Sequence, residues 1–410
     1  MRSVTTVIIG AGQAGLAMSQ ALSRRSIDHL ILEKGSVGNA WRKERWDSLR
    51  LLTPNWANGL PGAPYRGADP DGFMPVSQFA GQLDAYAEAI HAPIRCNTAV
   101  RRVTAAAAGY RVETDCGALS CKSAVLATRA CARPRVPPVA AAVPRRVHQI
   151  TPSTYKRSDD LLQGRVLVVG ASASGVQLAR EIQSSGRPVT LAVGQHLRMP
   201  RRYRGRDIER WLDLIGVMDQ RYDMVEDLSR ARRAPSPQLI GGARPVDLNA
   251  LQEAGVEVVG RLADIRDGRA LFSGGLGAHT ASADLKLARL LDGIDAWAID
   301  RGVEAELPPP DRPEPPRLPA SPRLWLELSE IDTVLWATGY TPDFSWLDLP
   351  VFDARGQLRH DGGVVAAPGV YALGLPLMRR RRSHQISGVG SDARDLANHL
   401  TQHLDAARAA

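Results

Sequence analysis

A β-branched run, Val4-Thr5-Thr6-Val7-Ile8-Ile9, leads straight into Gly10-Ala11-Gly12-Gln13-Ala14-Gly15 and then into an apolar stretch, Leu16–Leu22. That order predicts a strand, a glycine turn and a helix start. Gly10 permits the tight turn. Gly12 has no Cβ, so a pyrophosphate can approach the backbone. Gly15 lets the helix pack close to the strand. The helix N-terminus then offers free N–H groups and a partial positive charge to phosphates. A second strand is predicted over His29–Leu32, ending at Glu33, eighteen residues beyond Gly15. A carboxylate at that point can accept both hydroxyls of a ribose.

The same architecture recurs downstream. Val166-Leu167-Val168-Val169 leads into Gly170-Ala171-Ser172-Ala173-Ser174-Gly175, a helical stretch Val176–Gln183, then Gly186 and a strand predicted over Val189–Val193. Ser172 replaces the middle glycine and still presents a short hydroxyl to phosphate. No acid ends this second strand. Gly194-Gln195-His196-Leu197-Arg198 follows, with Arg201, Arg202 and Arg204 close behind. Loss of the acid removes repulsion against a 2′-phosphate, and arginine is a bidentate partner for one. The second site therefore reads as NADPH-binding with Arg198 as a contact, the alternative for these arginines being a solvated basic loop. Two nucleotide units in one chain point to a flavoprotein, with FAD in the N-terminal unit and NADPH in the second.

The 410 residues suffice for two domains, each with its own core. No run of 18 apolar residues is present, so no membrane span is expected. Met1-Arg2-Ser3 runs almost directly into the first strand, which predicts no secretory leader. The four cysteines, Cys96, Cys116, Cys121 and Cys131, form no CxxC pair. That argues against a dithiol–disulfide active site and fits a reducing cytoplasm. The net charge of +9 raises the question of nucleic acid, but the basic residues are dispersed and no aromatic-interleaved basic motif is visible. No metal-spaced His/Cys cluster and no Ser/His/Asp constellation is present.

The expected fold class is α/β, with two Rossmann-like dinucleotide-binding domains and the NADPH domain inserted in the FAD domain. The expected boundaries are 1–158, 159–325 and 326–410. The proline-rich run Leu307–Pro322 suits a linker or surface excursion. Thr333–Tyr340 reads as a buried strand ending in a glycine turn, and Val370–Gly374 as another short strand. Helical spacing covers Asp392–Leu404. Gly255–Gly260 reads as a strand and Ala283–Asp300 as an amphipathic helix. Arg232–Pro245 reads as a surface connection, with a loop over the active site as the alternative.

Several of these segments together resemble the class B flavin-dependent monooxygenases, in particular CzcO-like bacterial flavoproteins and the plant flavin monooxygenases of auxin synthesis. The resemblance is carried by Gly10–Gly15, Leu32–Trp41, Asp47–Pro54 with Gly59–Gly62, Gly170–Gly175, Leu335–Tyr340 and Arg381–Gly390. It implies NADPH reduction of FAD and transfer of one oxygen atom of O₂ to a small organic substrate. It implies that Gln13 and Ala14 line the FAD turn, that Glu33 binds the FAD ribose, and that Lys34, Trp41 and Arg42 lie along the adenosine and pyrophosphate. Val100 would contact adenine through its backbone, while Leu52 and Thr53 pass near the isoalloxazine. The Gly388–Ala393 turn, preceded by Gln385, would start a helix aimed at the flavin N1–C2=O edge. The family's asparagine beside the flavin has Pro54 at its position here, and Asn55 follows; Thr53 and Asn55 are the catalytic candidates.

Two departures from the family pattern stand out. Ala127-Thr128-Arg129 carries arginine where a glycine is usual, and its side chain would have to point outward. In Val147–Tyr155, Tyr155 is in place, but Thr151 occupies the position of an expected histidine, and His148 reads as a surface or linker residue. The Arg379–Arg382 run reads as an anion-binding site or, equally, as a solvated basic loop. A flavin-dependent NAD(P)H oxidoreductase or oxidase without oxygen insertion is the alternative function, and a homodimer is left open.

Overall fold

A computed structural model describes residues 2–241 and 246–409. The chain divides into two compact units. One comprises the residues up to Arg133, Met218–Arg232 and those from Tyr340 onward; the other comprises Pro134–Val217 and Arg233–Gly339. Among the described residues no helix is long and apolar enough to cross a membrane.

The first unit is built on the strand Arg2–Ile9, which runs parallel to His29–Leu32 on one side and to Gly117–Leu126 on the other. Ile94–Arg95 extends the parallel set beyond His29–Leu32. Gly109–Thr114 and Val100–Ala106 continue the sheet as an antiparallel meander, and Val370–Ala372 lies parallel to the end of Gly117–Leu126. Alternation along the strand separates two buried layers. Ile8 packs with Leu16, Met18 and Leu22 of the helix Gln13–Ser23, while Val7 and Ile9 pack with Val103, Val112 and Leu126. Leu396, Ala397, Leu400 and Leu404 of the helix Val389–Ala409 complete the first layer.

The second unit holds an all-parallel five-stranded sheet in the order Glu257–Gly260, Val189–Val193, Arg165–Val169, Ile331–Trp336, His148–Ile150. A parallel sheet covered on both faces requires near-continuous apolar strands, and Val166–Val169 and Val189–Val193 are buried throughout. The helix Leu276–Asp300 buries Leu276, Thr280, Ala283, Leu287, Leu291, Ile294 and Ala298, the 3–4 spacing of a single stripe. Residues 307–322 form neither helix nor strand.

Several boundaries differ from expectation. The strand read as Gly255–Gly260 starts at Glu257, because Gly255 takes a φ of +90° that ends the preceding turn. The helices read as Ala283–Asp300 and Asp392–Leu404 extend to Leu276–Asp300 and Val389–Ala409. Of the segment Arg232–Pro245, Gln238–Ile240 is a strand paired with Arg198–Pro200, and Gly242–Pro245 lie outside the described residues. His148 begins a strand and is exposed, as a surface residue would be.

Candidate functional site

The two glycine turns have the same construction. Gly10 and Gly170 both take φ +108°, a conformation that disfavours any side chain. A Cβ on Gly10 would lie 2.7 Å from the Ala127 carbonyl oxygen, and one on Gly170 would lie 2.5 Å from that of Ala337. On Gly15 and Gly175 a Cβ would overlap the carbonyl oxygens of Gly10 and Gly170. Gly12 is different: no heavy atom lies within 4 Å of its missing Cβ. Its hydrogen therefore faces an open cradle at the start of the helix Gln13–Ser23, where no side chain caps the N-terminus. Ser172 caps the helix Ala173–Ser184 by backbone alone, and its hydroxyl makes no capping bond. Ser174 follows in the first turn of that helix, half-buried.

Around the first turn the side chains converge. Ala11 N–H donates to Glu33 Oε2 at 2.9 Å and Gly35 N–H to Oε1 at 3.0 Å. The buried Glu33 is thus aimed at the turn from the end of the second strand. Trp41 Nε1–H donates to Gln13 Oε1 at 3.1 Å, and its ring meets Phe79 edge-on. Lys34 lies 3.5 Å from Glu44. Arg42 pairs with Asp84 and donates to the carbonyls of Val37 and Ala80, so its guanidinium is held by protein groups. Val100 opens the strand Val100–Ala106 beside Thr98, whose N–H donates to the Glu33 carbonyl at 2.8 Å.

The 52–62 loop and the C-terminal helix approach the same turn. A Cβ on Gly374 would meet Ala14 Cβ at 3.0 Å, and one on Gly390 would meet Pro61 Cγ at 2.6 Å. Pro61 C=O accepts from Gln20 Nε2 and the Tyr86 hydroxyl. Leu52, half-buried, precedes Thr53, whose hydroxyl donates to Asn58 Oδ1 at 2.5 Å. Asn55 is buried; its Oδ1 accepts from Met74 N–H at 2.9 Å and its Nδ2 donates to Asp69 C=O at 2.8 Å. That carboxamide holds the loop. Gln385 C=O accepts the N–H groups of Gly388 and Val389, and the helix Val389–Ala409 starts there. Gly388 is close-packed under the Arg382 carbonyl.

The cationic expectations are corrected. Arg198 is buried: it pairs with Asp284 and donates to Glu314 C=O at 2.9 Å, so it cannot reach a nucleotide phosphate. Arg201 forks onto Asp207, while Arg204 meets Asp295 through one nitrogen and gives its other donors to the Pro308 and Glu304 carbonyls; both arginines are buried. Arg129 does not point outward. It takes φ +69°, is half-buried and pairs with Glu44. The Arg379–Arg382 run is neither a solvated loop nor an open anion site. Arg379 and Arg380 bind Asp395, Arg380 also binds the buried Asp392, Arg381 donates to Gln220 and Arg382 pairs with Asp219.

Two groups are visible only in the structure. Gln238 is fully buried and donates to the Ala171 carbonyl at 2.7 Å, steadying the second turn. Arg261 packs its stem over Gly194, where a Cβ would meet Arg261 Cγ at 3.3 Å. Strand pairing links these residues, and neither belongs to a local motif. Tyr155 is buried and donates to Glu181 Oε1 at 2.7 Å; burial first, then Glu181, raises its hydroxyl far above the usual range.

Two glycine turns, each at the carboxyl end of a strand flanked on both sides by parallel neighbours, define a protein with two Rossmann-like units. The pattern of the pyridine nucleotide-disulphide oxidoreductase family matches residues 7–213, and the chain belongs to that family as a class B flavin monooxygenase-like protein. It is 31% identical to a CzcO-like oxidoreductase of Geobacillus kaustophilus over 98% of this chain and 99% of that one. It is 26% identical to the rice indole-3-pyruvate monooxygenase YUCCA4 over 97% of this chain and 87% of that one. Its fold matches a flavin-containing monooxygenase from Stenotrophomonas maltophilia at a TM-score of 0.69, with 20% identity, over 98% of this chain and 100% of that one. Its four cysteines are all free.

Proposed function

We propose that this chain is an NADPH-dependent flavoprotein monooxygenase that reduces FAD with NADPH and transfers one oxygen atom of O₂ to a small organic substrate. The observation that carries the reading is the doubled glycine turn with an acid beside only the first. A dinucleotide with free ribose hydroxyls suits the first turn, and one bearing a 2′-phosphate suits the second. The open cradle at Gly12 and the unengaged Ser172 hydroxyl fit pyrophosphates there. In this reading Gly10, Gly12, Gln13, Ala14, Gly15, Glu33, Lys34, Trp41 and Val100 form the FAD site. Arg42 would act through Asp84 and the loop it holds. Gly170, Ser172, Ser174 and Gly175 hold the NADPH pyrophosphate.

Bound flavin would supply hydride acceptance and oxygen activation. The protein's part is positional. Gln385 and Gly388 place the start of the helix Val389–Ala409, whose N-terminal dipole favours negative charge on a ligand set against it. Thr53, Asn55 and Asn58 tie down the loop beside it. The free cysteines fit a reducing, cytoplasmic setting.

Thr151 favours a second reading, an NAD(P)H oxidase that inserts no oxygen. Among the described residues its hydroxyl hydrogen-bonds Ser153 and Thr154 in its own turn, and it supplies no ring nitrogen where the family has histidine. Incubation with NADPH, ¹⁸O₂ and a panel of soft nucleophiles separates the two. Label in product supports the monooxygenase. Stoichiometric hydrogen peroxide with every substrate leaves the oxidase.

A further inference from the structure

Burial withdraws Arg198, Arg201 and Arg204 from the cations that follow the second strand in sequence, and the exposed Arg202 donates to Gly205 C=O at 2.6 Å, yet the fold brings another cation to the strand end. The two units align without a gap around their glycine turns. Gly10 N–H donates to Leu32 C=O, and Gly170 N–H donates to Ala192 C=O. Leu32 therefore corresponds to Ala192, and Glu33 to the buried, neutral Val193. Register carries the correspondence to the third strand of each unit: Leu32 pairs with Arg95, and Ala192 with Val259. Two residues on, Asn97 in the first unit corresponds to Arg261 in the second.

So the position that is acidic in the first unit is neutral in the second, and a neutral neighbour has become a cation. Arg261 is exposed, and no ion pair with a described residue engages it. Its aliphatic stem lies along Gly194, with Cγ at 3.3 Å and Cδ at 3.5 Å from where a Cβ would be. Glycine at 194 is what lets the stem lie there. The guanidinium is thus carried at the carboxyl edge of the sheet, beside the strand end where an adenosine ribose meets a Rossmann unit.

We infer that Arg261 is the residue that recognises the 2′-phosphate of the adenosine ribose, reading the coenzyme from the third strand and not from the loop after the second. This rests on the assignment of NADPH to the second unit. A planar guanidinium donates two parallel N–H bonds to a phosphate monoester, and no carboxylate at Val193 opposes that charge. The pyrophosphate stays on the glycine turn and is not part of the discrimination.

The test is calorimetric titration of the full-length, flavin-loaded protein with 2′,5′-ADP and with 5′-AMP, for the native chain, Arg261→Ala and Arg261→Lys. The native chain should prefer 2′,5′-ADP. Arg261→Ala should lose roughly tenfold to hundredfold in affinity for 2′,5′-ADP while 5′-AMP binding is unchanged, which also reports an intact fold. Lysine should restore part of the loss. Gly194→Val, which crowds the stem, should mimic Arg261→Ala. A native chain that prefers 2′,5′-ADP with an Arg261→Ala variant that prefers it equally overturns the role of Arg261 alone. Equal binding of both probes by the native chain overturns the NADPH assignment, and Arg261 with it.

Discussion

Single residues decide whether each turn folds or binds, and the glycines separate the two roles. Gly15→Ala forces a Cβ into the Gly10 carbonyl and is expected to destabilise the first unit by about 1–3 kcal/mol or more. Gly12→Ala meets nothing and should leave the melting temperature of the flavin-free protein unchanged, while weakening flavin retention on purification. Equal flavin content in the native and Gly12→Ala proteins would remove Gly12 from the cradle. Arg129 balances two opposed terms. Its left-handed backbone costs roughly 1–2 kcal/mol, whereas its partly exposed pair with Glu44 contributes up to about 1 kcal/mol. Arg129→Ala keeps the strain and loses the pair, so its melting temperature should fall; Arg129→Gly should sit at or above the native value. His360 supplies one part of the pH dependence, alongside His29, His196 and His384, which burial also pushes down. Burial, assisted by Arg232 and opposed by Asp361, pushes the His360 ring down from 6.5 to about 4, and Gly363 N–H donates to Nδ1 of the neutral ring. Between those two values the unfolded chain holds the extra proton. The group's stabilisation is present above pH 6.5 and is lost as pH falls towards 4. A His360→Gln variant should show a shallower fall in melting temperature over that window, and identical slopes would exclude the ring as a cause.

At the scale of elements, the segment Met218–Arg232 belongs to the first unit and straps its arginine run. Tyr222 N–H donates to Arg379 C=O and Arg381 N–H to Gln220 C=O, a short antiparallel bridge. Beneath it, Arg380 holds the first turn of the helix Val389–Ala409 through Asp392, whose Oδ2 has no hydrogen-bond partner. Burial raises the Asp392 carboxyl above its usual range, and Ser383 and Arg380 act against that shift. Arg380→Ala should cost about 3–5 kcal/mol by leaving this carboxylate buried and unpaired, and adding Asp392→Asn should recover much of it. Chemical denaturation of the four proteins of that cycle measures the coupling; additive losses would show that the pair is not a unit. This strap marks where the sequence stopped being legible. The strand His29–Leu32 and the strand Val189–Val193 could be read to the residue, because apolar runs and glycine turns are local signals. The strap, the Gln238–Ile240 strand and the Arg198–Asp284 pair could not, since each depends on a partner far away in the chain. Arginine abundance made the error easy: a buried cation and a phosphate-binding one look alike until their partners are known. Arg261 was missed for the same reason, being adjacent to Gly194 only through strand register.

For the whole molecule, the proposed chemistry predicts a leaky enzyme. With Thr151 confined to its own turn and Arg129 in place of glycine, NADPH consumption without substrate should release substantial hydrogen peroxide; tight coupling in an oxygen-electrode assay would show that both departures are harmless. The order of the chain has a further effect, on birth rather than on catalysis. The helix Gln13–Ser23 of the first unit is made early, yet the strand Val370–Ala372 and the helix Val389–Ala409 that close its sheet and cover Leu16, Met18 and Leu22 follow more than 340 residues later. At about 5–20 residues per second, the ribosome holds that apolar face open for roughly 20–80 s, while nearly all of the second unit emerges behind it. A nascent chain halted near Gly339 should therefore recruit holdase chaperones through the helix Gln13–Ser23, and release only once the helix Val389–Ala409 has cleared the exit tunnel.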